Sequence, residues 1–234
     1  MSSPLLKEKN KNQMTKKATL LGATGLIGGH ILNTLQKDNA FDEIKVIVRR
    51  PLEIEDPKVK VVVIDFEDKA QFEEAMKGSD VVFSAIGTTQ KKVKGDKEAY
   101  RKIDYDITVN AAKFSLKHGC KQLLVVSSIG ADSSKKGFYL KLKGEVEDAL
   151  TELAKKEDGF KSLSIFRPSL LLGDRGETRI LEGIGLFFGR TLSFLFPKDY
   201  KPIEGKKVAE AMVEVAKRDV KGVEVYKYEG MKNF

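Results

Sequence analysis

The chain has 234 residues, 41% hydrophobic and 32% charged, with one cysteine, two histidines and a formal net charge of +8. That length and balance suit one α/β domain with a sizeable core, and exclude an internal disulfide or a Cys- or His-rich metal cluster. No apolar run approaches the ~20 residues that span a bilayer, and the surplus lysines are not interleaved with aromatics, so neither a transmembrane segment nor a nucleic-acid site is expected.

Residues 1–15 are polar, lysine-rich and without periodicity, and lack the apolar stretch of a signal peptide. They are expected to be a disordered extension, with Met14 an alternative start to Met1 and a basic membrane anchor the lesser option. The lone Cys120 suits a reducing compartment and a cytoplasmic location. Residues 16–234 are expected to form one domain, with about 172–234 as its cap region.

The first predicted strand, Ala18 to Leu21, runs into Gly22-Ala23-Thr24-Gly25-Leu26-Ile27-Gly28. The apolar spacing Leu26, Ile27, Ile31, Leu32, Leu35 then fits a helix packed on a sheet. A strand that ends in a glycine turn and opens a helix can bring backbone N–H groups and the positive helix end to a pyrophosphate. Ile44 to Val48 reads as the second strand and Val59 to Ile64 as the third, followed by a polar helix from about Glu67 to Lys77. Val81 to Ile86 is the fourth strand, closed by Gly87-Thr88-Thr89, and a long helix covers roughly Lys97 to Lys117. Leu123 to Val126, a helix from about Tyr139 to Lys156, and Leu163 to Phe166 continue the alternation. After Leu172 it breaks into a Gly- and Phe-rich stretch, Gly183 to Phe196, expected to cap the crevice. A helix near Val208–Lys217 and a strand near Val223–Tyr228 finish the chain. Short, continuously apolar strands alternating with helices predict a doubly wound parallel-sheet Rossmann fold, α/β in class, with ligands at the carboxyl ends of the strands.

Two constellations carry chemistry. The second strand ends in Arg49-Arg50, where an NAD site usually places an acid; guanidinium groups suit a 2′-phosphate, so NADP(H) is expected over NAD(H). A solvated surface pair is the ordinary alternative. Asp65, ending the third strand, is either an acceptor for the adenine amino group or a turn acid. The second constellation is Tyr139 and Lys143, four apart and on one helix face, following Ser127-Ser128 at a strand end. An ammonium beside a phenol pulls its pKa toward the working range, and a serine hydroxyl can bond the substrate oxygen. His118 and Cys120 read as a helix terminus and a buried small residue.

In this order, the glycine turn, Ser127-Ser128, Tyr139…Lys143 and Arg167-Pro168 resemble the atypical and extended short-chain dehydrogenase/reductases. Gly87-Thr88-Thr89, Lys102-Ile103-Asp104, Ser127 to Asp132, Tyr139…Lys143-Gly144-Glu145-Val146-Glu147 and Phe166-Arg167-Pro168 narrow the resemblance to the Tat-interacting-protein oxidoreductase family. It implies NADPH held by Thr24, Gly25, Leu26, Ile27, Arg49 and Arg50, with Ile86 and Gly87 beside the adenosine or its phosphates. Leu171 and Arg179 match positions that close over the cofactor. Tyr139 would be the proton donor or acceptor, and Lys143 would hold the nicotinamide ribose. Extended members often place the catalytic Ser or Thr where this chain has Ile129, so Ser127 and Ser128 both remain candidates. Many reductases carry an Asn in the long helix, where this chain has Asp104. The implied activity is reduction of a small carbonyl compound, with an NADPH-binding sensor or protein-interaction module as the alternative. The resemblance also leaves room for a homodimer paired through the long helix and the Tyr-Lys helix.

Overall fold

The structure, a computed structural model, describes residues 15–172, 198–218 and 220–234. The expected N-terminal extension and the Gly183–Phe196 stretch lie outside the described residues, apart from Thr15. The chain forms β1 (Lys16–Leu21), α1 (Leu26–Lys37), β2 (Phe41–Val48), β3 (Val59–Val63), α2 (Lys69–Ala75) and β4 (Val81–Ser84). There follow α3 (Lys97–Arg101), α4 (Ile107–Lys117), β5 (Gln122–Val126), α5 (Phe138–Ala154), β6 (Ser162–Phe166) and β7 (Leu171–Leu172). The chain closes with β8 (Ile203–Glu204), α6 (Gly205–Ala216), β9 (Gly222–Tyr226) and α7 (Tyr228–Met231). Seven strands make one sheet in the order β3-β2-β1-β4-β5-β6-β9. Every neighbouring pair in it is parallel.

The apolar runs form this sheet because successive side chains point to opposite faces and both faces are covered. Leu20, Val46, Phe83 and Leu124 face one core with Ile31 and Leu35 of α1 and Val208 and Met212 of α6. Their neighbours Leu21, Ile47, Val82 and Leu123 face the other core, with Phe72 of α2, Ala111 of α4 and Leu150 of α5. Residues 205–226, counted from sequence within the cap, are therefore built into the sandwich. Apolar α6 packs on α1, and β9 extends the sheet beside β6. The helix near Val208–Lys217 and the strand near Val223–Tyr228 are both present; the strand's place in the main sheet was not readable because β9 is an edge strand with exposed Val223 and Val225.

The long helix expected over 97–117 is continuous but not uniform: a π-helical turn, Lys102–Asp106, separates α3 from α4. Helix α2 is shorter than predicted because Asp68 caps it, accepting from Ala70 and Gln71 N–H. His118 ends α4, followed by Gly119 at φ +85°, and its ring bonds Glu73 at 3.1 Å. Cys120 is buried, and burial pushes its thiol up to about 11. A thiol reagent at pH 8 is accordingly expected to leave Cys120 unmodified in the folded protein and to label it in urea; stoichiometric labelling under native conditions would contradict that burial.

Candidate functional site

The strand order reverses at β1, whose neighbours β2 and β4 lead the chain to opposite sides of the sheet. A crevice at the carboxyl ends of these strands follows from that topology. Gly22 sits there at φ +87°, and a Cβ on it would lie 2.5 Å from the Ala85 carbonyl oxygen at the end of β4. A Cβ on Gly28 would lie 2.0 Å from the Gly22 oxygen. The turn, the end of β4 and the start of α1 thus approach within backbone contact, which only glycine permits. Gly25 N–H closes the turn on Gly22 O at 2.9 Å, and the first helical bond is Gly29 N–H to Gly25 O. Gly25 is the N-cap and no side chain caps the helix. The Leu26, Ile27 and Gly28 amides are left without intrahelical acceptors, a standard anion cradle. Thr24 is exposed on the same turn.

Arg49 and Arg50 follow β2 and are exposed. Among the described residues no carboxylate pairs with either guanidinium. Arg49, Val63, Ile64, Asp65 and Gln71 line an open depression of about 400 Å³. Asp65 serves the turn, accepting from Glu67 N–H at 2.9 Å through Oδ1, and also borders this depression. Ile86 and Gly87 leave β4 at the other side of the crevice, Ile86 half-buried and Gly87 exposed. The next residue, Thr88, gives its N–H to Asp104 Oδ2 at 2.8 Å and accepts from the Tyr100 hydroxyl at 2.9 Å.

Tyr139 is in the first turn of α5, half-buried, with its ring edge-on to Tyr100 at 6.5 Å between centroids. Lys143 lies one turn on and is buried, with Nζ 2.9 Å from Asp104 Oδ1. Burial by itself would lower the lysine pKa. The Asp104 charge, then Tyr139 and Glu147, outweigh it, and the pKa is raised above 10.5. Gly144 is where residues 132–133 cross the helix: a Cβ there would lie 2.1 Å from Ser133 N. Its place after Lys143 was visible in the sequence, but the close crossing was not.

The paired serines differ in their surroundings. The Ser127 hydroxyl donates to Glu147, which is buried and forked by Arg167 from the end of β6. Among the described residues, the Ser128 hydroxyl makes only a long 3.4 Å contact to the Ile129 carbonyl. Arg167-Pro168, read from sequence only as part of a motif, therefore anchors α5 to two strand ends through Glu147. Leu171 is half-buried in β7, paired with Ile203 of β8. Arg179 lies outside the described residues. Among the described residues, no three His, Cys, Asp or Glu side chains are grouped to hold a metal ion, and no helix is long and apolar enough to cross a membrane.

An NAD(P)H-binding family model matches residues 22–182. The mitochondrial protein FMP52 of Candida albicans is 32% identical over 212 residues, covering 87% of this chain and 89% of that protein. The protein HTATIP2 of Rattus norvegicus is 37% identical over 190 residues, covering 79% and 76%. A UDP-N-acetylglucosamine 4-epimerase from Methanobrevibacter ruminantium superposes with a TM-score of 0.69 at 17% identity, over 92% of this chain and 77% of the epimerase. That likeness concerns the fold. The mitochondrial name of the yeast relatives lends the expected cytoplasmic location no support.

Proposed function

The chain belongs to the NAD(P)H-binding family, alongside its relatives among the atypical short-chain dehydrogenase/reductases, and from that premise we propose that it is an NADPH-dependent reductase of a small carbonyl compound. The observation that carries the reading is the buried, charged Lys143 one helical turn from Tyr139, on a helix that starts at the carboxyl end of the sheet. The residues present fit the dinucleotide. Gly22 and Gly28 let the turn, the end of β4 and α1 close to backbone contact where a Cβ would collide, and α1 offers uncapped amides. Arg49, with Arg50 beside it, supplies permanent positive charge for a 2′-phosphate. Ile86 and Gly87 would lie beside the adenosine or its linking phosphates, and Leu171 would close over the cofactor.

NADPH, when bound, supplies the hydride for the carbonyl carbon. The protein's part is to hold and move the proton. Tyr139 Oη delivers a proton to the substrate oxygen, and among the described residues no hydrogen bond ties that hydroxyl elsewhere. The Lys143 ammonium favours the phenolate that forms and holds the nicotinamide ribose. Ser128 donates to the substrate oxygen, because Ser127 is engaged by Glu147. A pair of copies joined through the α4 and α5 faces completes the proposal, and light scattering in solution tests it.

Calorimetric titration with NADPH and NADH, on the wild type and on Arg49→Ala/Arg50→Ala, tests the cofactor assignment. The double variant is expected to lose roughly 10- to 100-fold in NADPH affinity, about 1.4–2.7 kcal/mol, and to leave NADH unchanged. Equal affinity of the wild type for both cofactors would overturn the 2′-phosphate site.

A further inference from the structure

Two lysine-rich segments border the start of α5, and the cofactor does not account for them. Residues 88–97, between β4 and α3, hold Lys91, Lys92, Lys94 and Lys97 against one carboxylate, Asp96. Residues 130–137, ahead of α5, hold Lys135 and Lys136 against Asp132. All six lysines are exposed, and among the described residues none is in an ion pair, whereas the nearby Arg101 is paired with Glu145. Both aspartates serve turns. Asp96 accepts from Glu98 and Ala99 N–H, and Asp132 from the N–H and hydroxyl of Ser134. Glu98 is the third acid in the neighbourhood, exposed on α3.

The first segment is tied to the helix that carries Tyr139. The Thr88 carbonyl accepts from the Tyr100 hydroxyl at 2.9 Å. The Tyr100 ring meets Phe138 edge-on at 5.4 Å and Tyr139 at 6.5 Å. Lys97 lies one turn before Tyr100 on α3, with Nζ 5.7 Å from the centroid of the Phe138 ring. Its ammonium therefore stands beside the residue that precedes Tyr139. Lys94 has φ +51°, a conformation that is costly for a lysine and free for a glycine. The cofactor's own charges lie elsewhere: the 2′-phosphate is assigned to Arg49 and Arg50 after β2, and β2 and β4 are on opposite sides of β1.

We propose that the carbonyl substrate carries an anionic group, a carboxylate or a phosphate, and that Lys97, with Lys91 and Lys92 of the same segment, binds that group while the carbonyl lies at Tyr139. This names a substrate class for the reductase reading and rests on it. A lysine suits the task because its ammonium is a mobile point charge on a flexible stem, and several together raise the local concentration of an anion. One exposed pair contributes little, so the effect is expected from the group.

Steady-state kinetics on matched substrates tests this: para-carboxybenzaldehyde against para-tolualdehyde for a carboxylate, and glyceraldehyde phosphate against glyceraldehyde for a phosphate. In the wild type kcat/KM is expected to favour the anionic member of at least one pair by about tenfold, mainly through KM. The pair that shows the preference identifies the anion. Lys97→Met should lower that ratio about threefold, Lys97→Arg should keep it, and Lys91→Met/Lys92→Met/Lys97→Met should bring it near one. Raising the salt to about 0.5 M should also shrink the wild-type ratio, because exposed charges are screened. A wild type that reduces the neutral members as well as the anionic ones, or a ratio that the triple variant retains, would overturn the proposal. A wild type that reduces none of the four would overturn the reductase reading instead. Calorimetric titration of the protein with terephthalate then judges the anion site without turnover. Binding that the triple variant loses upholds the site; absent binding, or binding equal in both proteins, overturns it.

Discussion

Arg167→Ala is expected to lower the free energy of unfolding by about 3 kcal/mol, shifting the urea midpoint without changing the slope. The guanidinium forks the Glu147 carboxylate, donating through Nε at 2.9 and 3.1 Å and through a second nitrogen. Glu147 is 5% exposed, so among the described residues the truncation leaves this buried anion of α5 with the Ser127 hydroxyl as its remaining hydrogen-bond donor. Arg167 is a quarter exposed at the side chain, which places the loss at the low end of the range for breaking a buried pair. Replacing both partners with apolar residues, Glu147→Leu/Arg167→Met, should recover most of it, because no charge is then left behind. A loss below about 1 kcal/mol for Arg167→Ala would mean that the pair behaves as a surface contact, and that the anchoring of α5 to β5 and β6 lies elsewhere.

The second large effect concerns chemistry. Tyr139→Phe should reduce turnover of a carbonyl substrate by roughly 10²- to 10⁴-fold, the usual contribution of a positioned acid, while NADPH affinity stays within a factor of about three. The ring remains, so its edge contact with Tyr100 is kept; only the hydroxyl that would give its proton is lost. Steady-state kinetics against a panel of small aldehydes and ketones, with cofactor binding measured on the same preparations, checks both halves. Turnover that survives the substitution would remove Tyr139 from the mechanism. A wild type that binds NADPH but reduces no member of the panel would favour the sensor reading, and pull-down of a protein partner with and without NADPH would then be the decisive comparison.

Much of the architecture was legible locally. A strand, a glycine turn and a helix announce themselves within a dozen residues, because hydrophobic period and backbone freedom are short-range properties. The same holds for the Tyr139–Lys143 spacing, set by one turn of helix, and for the parallel sheet, implied by continuous apolar strands. Long-range contacts decided the rest. Ser127 and Ser128 are indistinguishable in sequence, and differ only because Glu147, 20 residues away, reaches one of them. Lys143 became a buried, compensated charge only when a π-helical turn, which has no composition of its own, brought Asp104 to it. The C-terminal helix and strand read as a cap until β9 was found beside β6. The sequence by itself determined the elements, the crevice and the candidate residues, since each follows from neighbours along the chain. Only the tertiary structure decided which polar group pairs with which, because a buried charge takes its meaning from the partner that folding places beside it.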